Sequence, residues 1–267
     1  MGKIDSAIRE IHQVDSLASR DSLLTGIAAL PKLLVTLIYI VCVVSFNKYD
    51  LQGVASMIVY PLVLMIVDEI ALGQTLRRLR VVLLVVCAVG IANPFFDRQI
   101  VFTIGSVAVS GGVVSMITLI LKGVFTVLAG FLLVSSTPIE AICGALRQIH
   151  VPKIFVTLIL LINRYIVVLL QEGHRMSQAY ALRAPGQKGI EWHVWGSFIG
   201  QMLLRSMDRA QVLYESMTLR GFNGEYTGDT PEKISGSGVG YLILWSVVIL
   251  ALRIFPVFAL AGQVFVK

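Results

Sequence analysis

The chain has 267 residues, of which 56% are apolar and 14% charged, with a mean hydropathy of +0.82. Soluble globular domains carry about a quarter charged residues, so the composition excludes one and describes an integral membrane protein. The basic excess, 22 Lys and Arg against 16 Asp and Glu, reflects membrane topology and affinity for anionic lipid, with no nucleic-acid partner implied.

Residues 1–29 carry Asp5, Arg9, Glu10, Asp15, Arg20 and Asp21, which interrupt any apolar stretch a secretory signal would need. They read as a cytoplasmic segment lying on the membrane. Crossing a bilayer takes about 20 helical residues. Apolar runs approaching that length occur at Leu30–Phe46, Val54–Leu72, Val81–Phe96, within Ile100–Val134 and at Val239–Phe265. The first four predict a four-span domain over residues 30–136, and the fifth a final span over 238–267. Cationic loops favour the cytoplasm. Lys3, Arg9, Arg20 and Lys32 put the N-terminus inside, Arg77, Arg78 and Arg80 mark the next inner loop, and Lys48 and Arg98 stand alone in outer loops. Lys122 and Arg253 fall inside apolar runs. Asp68-Glu69, at the inner end of the second run, reads as solvated charge.

Ten more basic residues lie between Pro138 and Ser237, so residues 137–237 read as a cytoplasmic helical domain inserted before the last span. Within it Ile154–Leu170 is apolar enough for a sixth span. Asn163 and Arg164 stand at its centre, however, and a charge at the bilayer midplane costs about 2.5 kcal/mol or more. This run is read as a buried or interfacial helix. The fold class is therefore an all-α integral membrane protein with about five transmembrane helices.

Three helices are expected in the inserted domain. Thr137-Pro138 with Glu140 predicts a start with Pro at the first helical position and an end near His150. The second runs from Pro152 to Ala184, where Pro185-Gly186 stop it. The third, from about Glu191 to Gly221, is amphipathic: Trp195, Phe198, Ile199, Met202, Leu203, Ala210, Leu213 and Met217 share one face, and Gln201, Arg205, Asp208, Arg209 and Glu215 the other. Gly196 and Gly200 on it are spaced to permit a close crossing against the second helix.

The last two helices end alike, in Ala181-Leu182-Arg183-Ala184-Pro185-Gly186 and Thr218-Leu219-Arg220-Gly221-Phe222-Asn223-Gly224. An arginine in a last turn gains about 0.3–1 kcal/mol from the helix dipole and needs no further reason. Two copies, each with Leu before and a small residue after, point further. The small residue removes bulk, so the helix tip can enter a groove whose carboxylate or carbonyls satisfy the guanidinium fork. The tip residues are Leu182, Arg183, Ala184, Leu219, Arg220 and Gly221.

With Pro31-Lys32-Leu33-Leu34-Val35, Val44-Ser45-Phe46-Asn47-Lys48-Tyr49, Asn93-Pro94-Phe95-Phe96-Asp97-Arg98, Val151-Pro152-Lys153, Asn163-Arg164-Tyr165, Leu204-Arg205-Ser206 and Arg220-Gly221-Phe222-Asn223-Gly224, the chain resembles the transmembrane T component of energy-coupling factor (ECF) transporters, of the cobalt type called CbiQ. The resemblance runs over about residues 25–226. It implies a scaffold in the cell membrane that docks two ATP-binding cassette ATPase subunits through its two arginine motifs and holds a CbiM-like substrate-binding membrane subunit. Cobalt is the implied cargo, with nickel or a vitamin as alternatives. Leu in place of the usual Ala before each Arg, and Ala184-Pro185 after the first, depart from the family's Ala-Arg-Gly pattern.

The residues themselves offer no chemistry of their own. There is no Gly-x-x-x-x-Gly-Lys-Ser/Thr phosphate loop and no Gly-x-Ser-x-Gly elbow, and Gly236-Ser237-Gly238-Val239-Gly240 lacks the lysine. Cys42, Cys87 and Cys143 show no Cys-x-x-Cys spacing and read as small apolar residues. His12, His150, His174 and His193 are scattered, so no cofactor or metal ligand set is expected. A self-sufficient secondary carrier would show matching halves with broken helices. Only one four-span half is present, although Gly105, Gly111 and Gly112 could mark a break.

Overall fold

In the computed structural model, proline positions and the lengths of the apolar runs explain where most elements start and stop. The structure describes residues 26–255 apart from 69, 71, 97–99, 105–106, 188, 223 and 225–234. The expected N-terminal segment up to residue 25 and the far end of the last span lie outside the described residues. Helices are α1 (Ala29–Val44), α2 (Leu51–Ser56), α3 (Val59–Val67), α4 (Leu72–Phe96), α5 (Gly111–Ser136), α6 (Ile139–Gln148), α7 (Lys153–Arg183), α8 (Trp195–Leu219) and α9 (Gly236–Ile254). The chain divides into two compact units, one built on Ala18–Thr137 with Lys233–Lys267 and the other on Pro138–Glu232.

In the first unit, Val35, Tyr39 and Val43 recur along α1 at helical spacing and are fully buried against Tyr60, Leu64, Ala129, Leu132, Trp245 and Ile249. Tyr39 and Tyr60 stack at 4.4 Å, and Trp245 meets Tyr60 edge-on at 4.9 Å. The second apolar run is broken into α2 and α3 by Pro61. Proline has no N–H to offer the carbonyl four residues back, and that carbonyl, on Met57, accepts instead from the Tyr39 hydroxyl at 2.9 Å. A gap in one helix is thus filled from another.

The α4–α5 pair is closely packed. A Cβ on Gly90 would stand 2.6 Å from Ile120 Cγ1, and one on Gly123 would overlap Val86. Small residues at such contacts let helix backbones approach in lipid, where packing drives association.

Lysines tie α1 and α5 at both ends. Lys32, 4% exposed, donates to the Ser136 carbonyl at the end of α5 at 3.1 Å. Lys122 of α5 donates to the carbonyls of Val44 and Phe46 at the end of α1. Arg253 of α9 joins there, donating to the Ser45 carbonyl at 3.2 Å and lying 3.9 Å from the Phe46 ring centre. Each antiparallel helix therefore supplies the cation that satisfies the other's terminal carbonyls. That is the role of Lys122 and Arg253 within their apolar runs.

Several expectations are corrected. Arg77, Arg78 and Arg80 lie inside α4, because the turn after Val67 is short and the chain re-enters helix at Leu72. The all-α reading has one exception, an antiparallel hairpin of Ile100–Ile104 with Val107–Ser110 in register Ile104↔Val107 and Thr103↔Ala108. Its β-branched residues favour strand. Both carboxylate oxygens of Asp68 are shielded from solvent, so that charge is not solvated.

In the second unit, α6 starts at Ile139 with Pro138 as its N-cap, one residue later than expected, and no side chain caps it. It ends on His150, which adopts φ 64°, with the His150 and Val151 N–H groups bonded back to Arg147 and Leu146. Burial, and secondarily the charge of Glu140, pushes the Cys143 thiol up, so it stays protonated as a small apolar side chain.

By length and composition α5, α7 and α9 are each long and apolar enough to cross a membrane, and Ala29–Val44, Leu51–Val67 and Val82–Ile91 are shorter apolar helices. The reading of Ile154–Leu170 as a buried helix is overturned: only 11% of the apolar window of α7 is buried, and Ile154, Phe155, Leu158 and Ile162 are exposed. What covers that face lies outside this chain.

Candidate functional site

Helices α7 and α8 form an antiparallel pair. They meet where buried Gly173 faces Met202, whose Cε would stand 3.9 Å from an added Cβ, and where Glu172 pairs with Arg205. Glu172 also lies 3.7 Å from Arg175, and its side chain is only 12% exposed. The crossing expected at Gly196 and Gly200 is not there: a Cβ on either meets nothing within 4 Å. The edge of α8 that meets α7 carries Met202, Arg205 and Arg209, while Ile199 and Leu203 are exposed. Neither Gly173 nor the Glu172–Arg205 pair was anticipated. A lone glycine in the polar run Gln171-Glu172-Gly173-His174-Arg175 was the available signal for the first, and nothing local signals a pair 33 residues apart.

Because the helices are antiparallel, their C-termini lie on opposite sides of the crossing. Arg183 is ten residues beyond Gly173 and Leu219 fourteen beyond Arg205, which at about 1.5 Å per residue puts the two tips on the order of 30–40 Å apart. Leu182 is 83% and Leu219 90% exposed, and both arginines are exposed. Neither Arg183 nor Arg220 has an ion pair among the described residues. An apolar side chain beside an unpaired guanidinium, projected at the end of a long rod, suits insertion into a partner.

The two tips end by different backbone chemistry. At the second, Gly221 adopts φ 82°, its N–H bonds to the Thr218 carbonyl at 2.9 Å and the Phe222 N–H to Met217 at 2.9 Å. This is the Schellman arrangement, which glycine allows without a Cβ penalty. At the first, Pro185 has no N–H to give. Ala184, Pro185 and Gly186 instead form a turn closed by the Gln187 N–H on the Ala184 carbonyl at 3.4 Å, with Gly186 at φ 98°. The chain leaving it is held by side chains: Tyr180 donates to Gln187 at 2.7 Å, Gln187 donates to Glu191 at 2.6 Å, and His193 lies 3.1 Å from Glu191.

Among the described residues, no three of His, Cys, Asp and Glu converge as a metal site. The candidate site is therefore a mechanical one, a helical pair with a tip at each end. Residues 21–231 match the family model of the cobalt transport protein CbiQ. The chain belongs to the CbiQ family. A relative from Methanocaldococcus jannaschii, itself described only as an uncharacterized protein, is 27% identical over 145 residues, 54% of this chain and 49% of its own length. The chain thus matches about half of that relative. The CbiQ match spans α1 through α8 and includes both Leu-Arg tips.

Proposed function

We propose that this CbiQ-family chain is the transmembrane scaffold subunit of an ATP-driven ECF importer with cobalt ions as cargo. In this reading Leu182-Arg183-Ala184 and Leu219-Arg220-Gly221 dock two ABC-type ATPase subunits, and the transmembrane helices hold a CbiM-like substrate-binding membrane subunit. The observation that carries it is the pair of exposed Leu-Arg tips at opposite ends of one antiparallel helical pair. Two like tips facing apart fit two like partners. The sequence has no phosphate loop, so ATP hydrolysis falls to those partners. Relative movement of the ATPases would reach the scaffold as a change in the angle at which α7 and α8 cross at Gly173.

Arg183→Ala with Arg220→Ala should nearly abolish co-purification of the ATPases while leaving the chain membrane-inserted, and each single change should weaken it. Wild-type recovery of ATPase with the double variant would overturn the docking role. The proposed orientation puts the N-terminus and the α7–α8 turn in the cytoplasm. With the native cysteines removed, Gln187→Cys should react with a membrane-impermeant thiol reagent in inverted vesicles and stay unreacted in intact cells. Reaction in intact cells would place both tips outside, where no ATPase could reach them.

A further inference from the structure

The face of α8 toward α7 lines two adjoining depressions that meet at one residue, Arg209. One is an apolar groove of about 320 Å3 lined by Leu161, Tyr165 and Leu169 of α7 and by Ala210 and Leu213 of α8. The other is a charged cleft between Glu172 and Arg175 of α7 and Arg205 and Asp208 of α8. In the cleft Arg205 and Arg175 both turn to Glu172. Arg209, which borders groove and cleft together, has no ion pair among the described residues.

We propose that this composite site binds one anionic glycerophospholipid, with an acyl chain in the groove and the phosphate on Arg209. Three features of the same surface select that occupant. The groove follows α7 from Leu161 to Leu169, about 12 Å at 1.5 Å per residue, close to the depth of a single leaflet, about half of a 30 Å hydrocarbon core. The helix changes from apolar to polar at Gln171-Glu172, directly beyond the groove. The free cation sits at that change, where a headgroup would lie, and its planar fork matches a phosphate. An inorganic anion would leave the groove unfilled, and an apolar peptide would leave Arg209 unanswered. The proposal goes beyond the docking of ATPases and stands whether or not the Leu-Arg tips dock them.

The test uses Tyr165→Trp as a reporter in the groove, with the parent chain as background, reconstituted in phosphatidylcholine vesicles. Brominated phosphatidylglycerol, present as a minor component, should quench the reporter about fivefold more effectively than brominated phosphatidylcholine at the same fraction, the scale of one arginine's attraction to anionic lipid. Arg209→Gln should remove that preference while leaving quenching by phosphatidylcholine intact, which shows the groove persists. Arg209→Lys should retain much of the preference. Arg164→Gln, a charge on α7 that does not line the groove, should leave it unchanged. Equal quenching by both lipids with Arg209 present overturns the proposal, as does absence of quenching by either, which would mean protein fills the groove. Loss of the preference on adding inorganic phosphate would assign Arg209 to a free anion and overturn it likewise. If Arg209→Gln loses both signals, Arg209→Lys decides: loss of preference there overturns the proposal, and its retention supports it.

Discussion

Helix α1 buries seven of its sixteen residues, whereas α8, with twenty-five, buries none. The first unit has a continuous core in which even its cations, Lys32 and Lys122, answer carbonyls of neighbouring helices. In the second, long rods touch at one crossing and leave apolar side chains such as Ile162, Ile199 and Leu203 exposed. The difference teaches that one unit is complete in its own contacts and the other is a surface to be completed by lipid and partners.

The sharpest way to break that contrast is to overpack each unit in turn. Gly123→Leu would drive a side chain into Val86, and overpacking of a dense contact costs about 1–3 kcal/mol or more. It should lower the apparent melting temperature in detergent strongly, while Gly196→Leu and Gly200→Leu, which meet open space, should leave it within error. Equal losses would show that α8 is packed as tightly as α5. A smaller effect compares polar contacts. Lys122→Met leaves terminal carbonyls of α1 without their donor and should cost about 1–3 kcal/mol, whereas Glu172→Gln weakens an ion pair with an exposed arginine and should cost about 1 kcal/mol or less. Chemical denaturation of the purified chain ranks the two, and the reverse ranking would mean the second unit depends on its one crossing. The smallest expected effect has the opposite sign. His150→Gly relieves a left-handed backbone and should stabilise by up to about 1 kcal/mol, reduced by the added freedom of the unfolded chain. A loss measured in the same denaturation would show that the imidazole makes a contact worth more than the strain.

Where local chemistry decides, the sequence was readable. Pro185 and Gly221 end α7 and α8 where proline lacks a donor and glycine accepts positive φ, and the apolar runs marked α1 and α5. Contacts between distant positions were not readable. Gly196 and Gly200 have the spacing of a crossing, yet the crossing depends on which face of α8 turns to α7, and Glu172 and Arg205 decide that from 33 residues apart. Nor could hydropathy separate the hairpin at Ile100–Ser110 from the helix that follows, because both are apolar and differ in β-branching.

The reciprocal lysines of α1 and α5 have a consequence for motion. Packed helices commonly rearrange by slipping one turn, about 5.4 Å, past each other. A slip of α1 along α5 in either direction would strip Ser136 of Lys32 and Val44 and Phe46 of Lys122 in the same step, so no intermediate register keeps even one end satisfied. The pair is locked against sliding and behaves as a single spar. Movement inside the transmembrane unit must then come from tilting of this spar as a whole, or from elements that carry no such double lock.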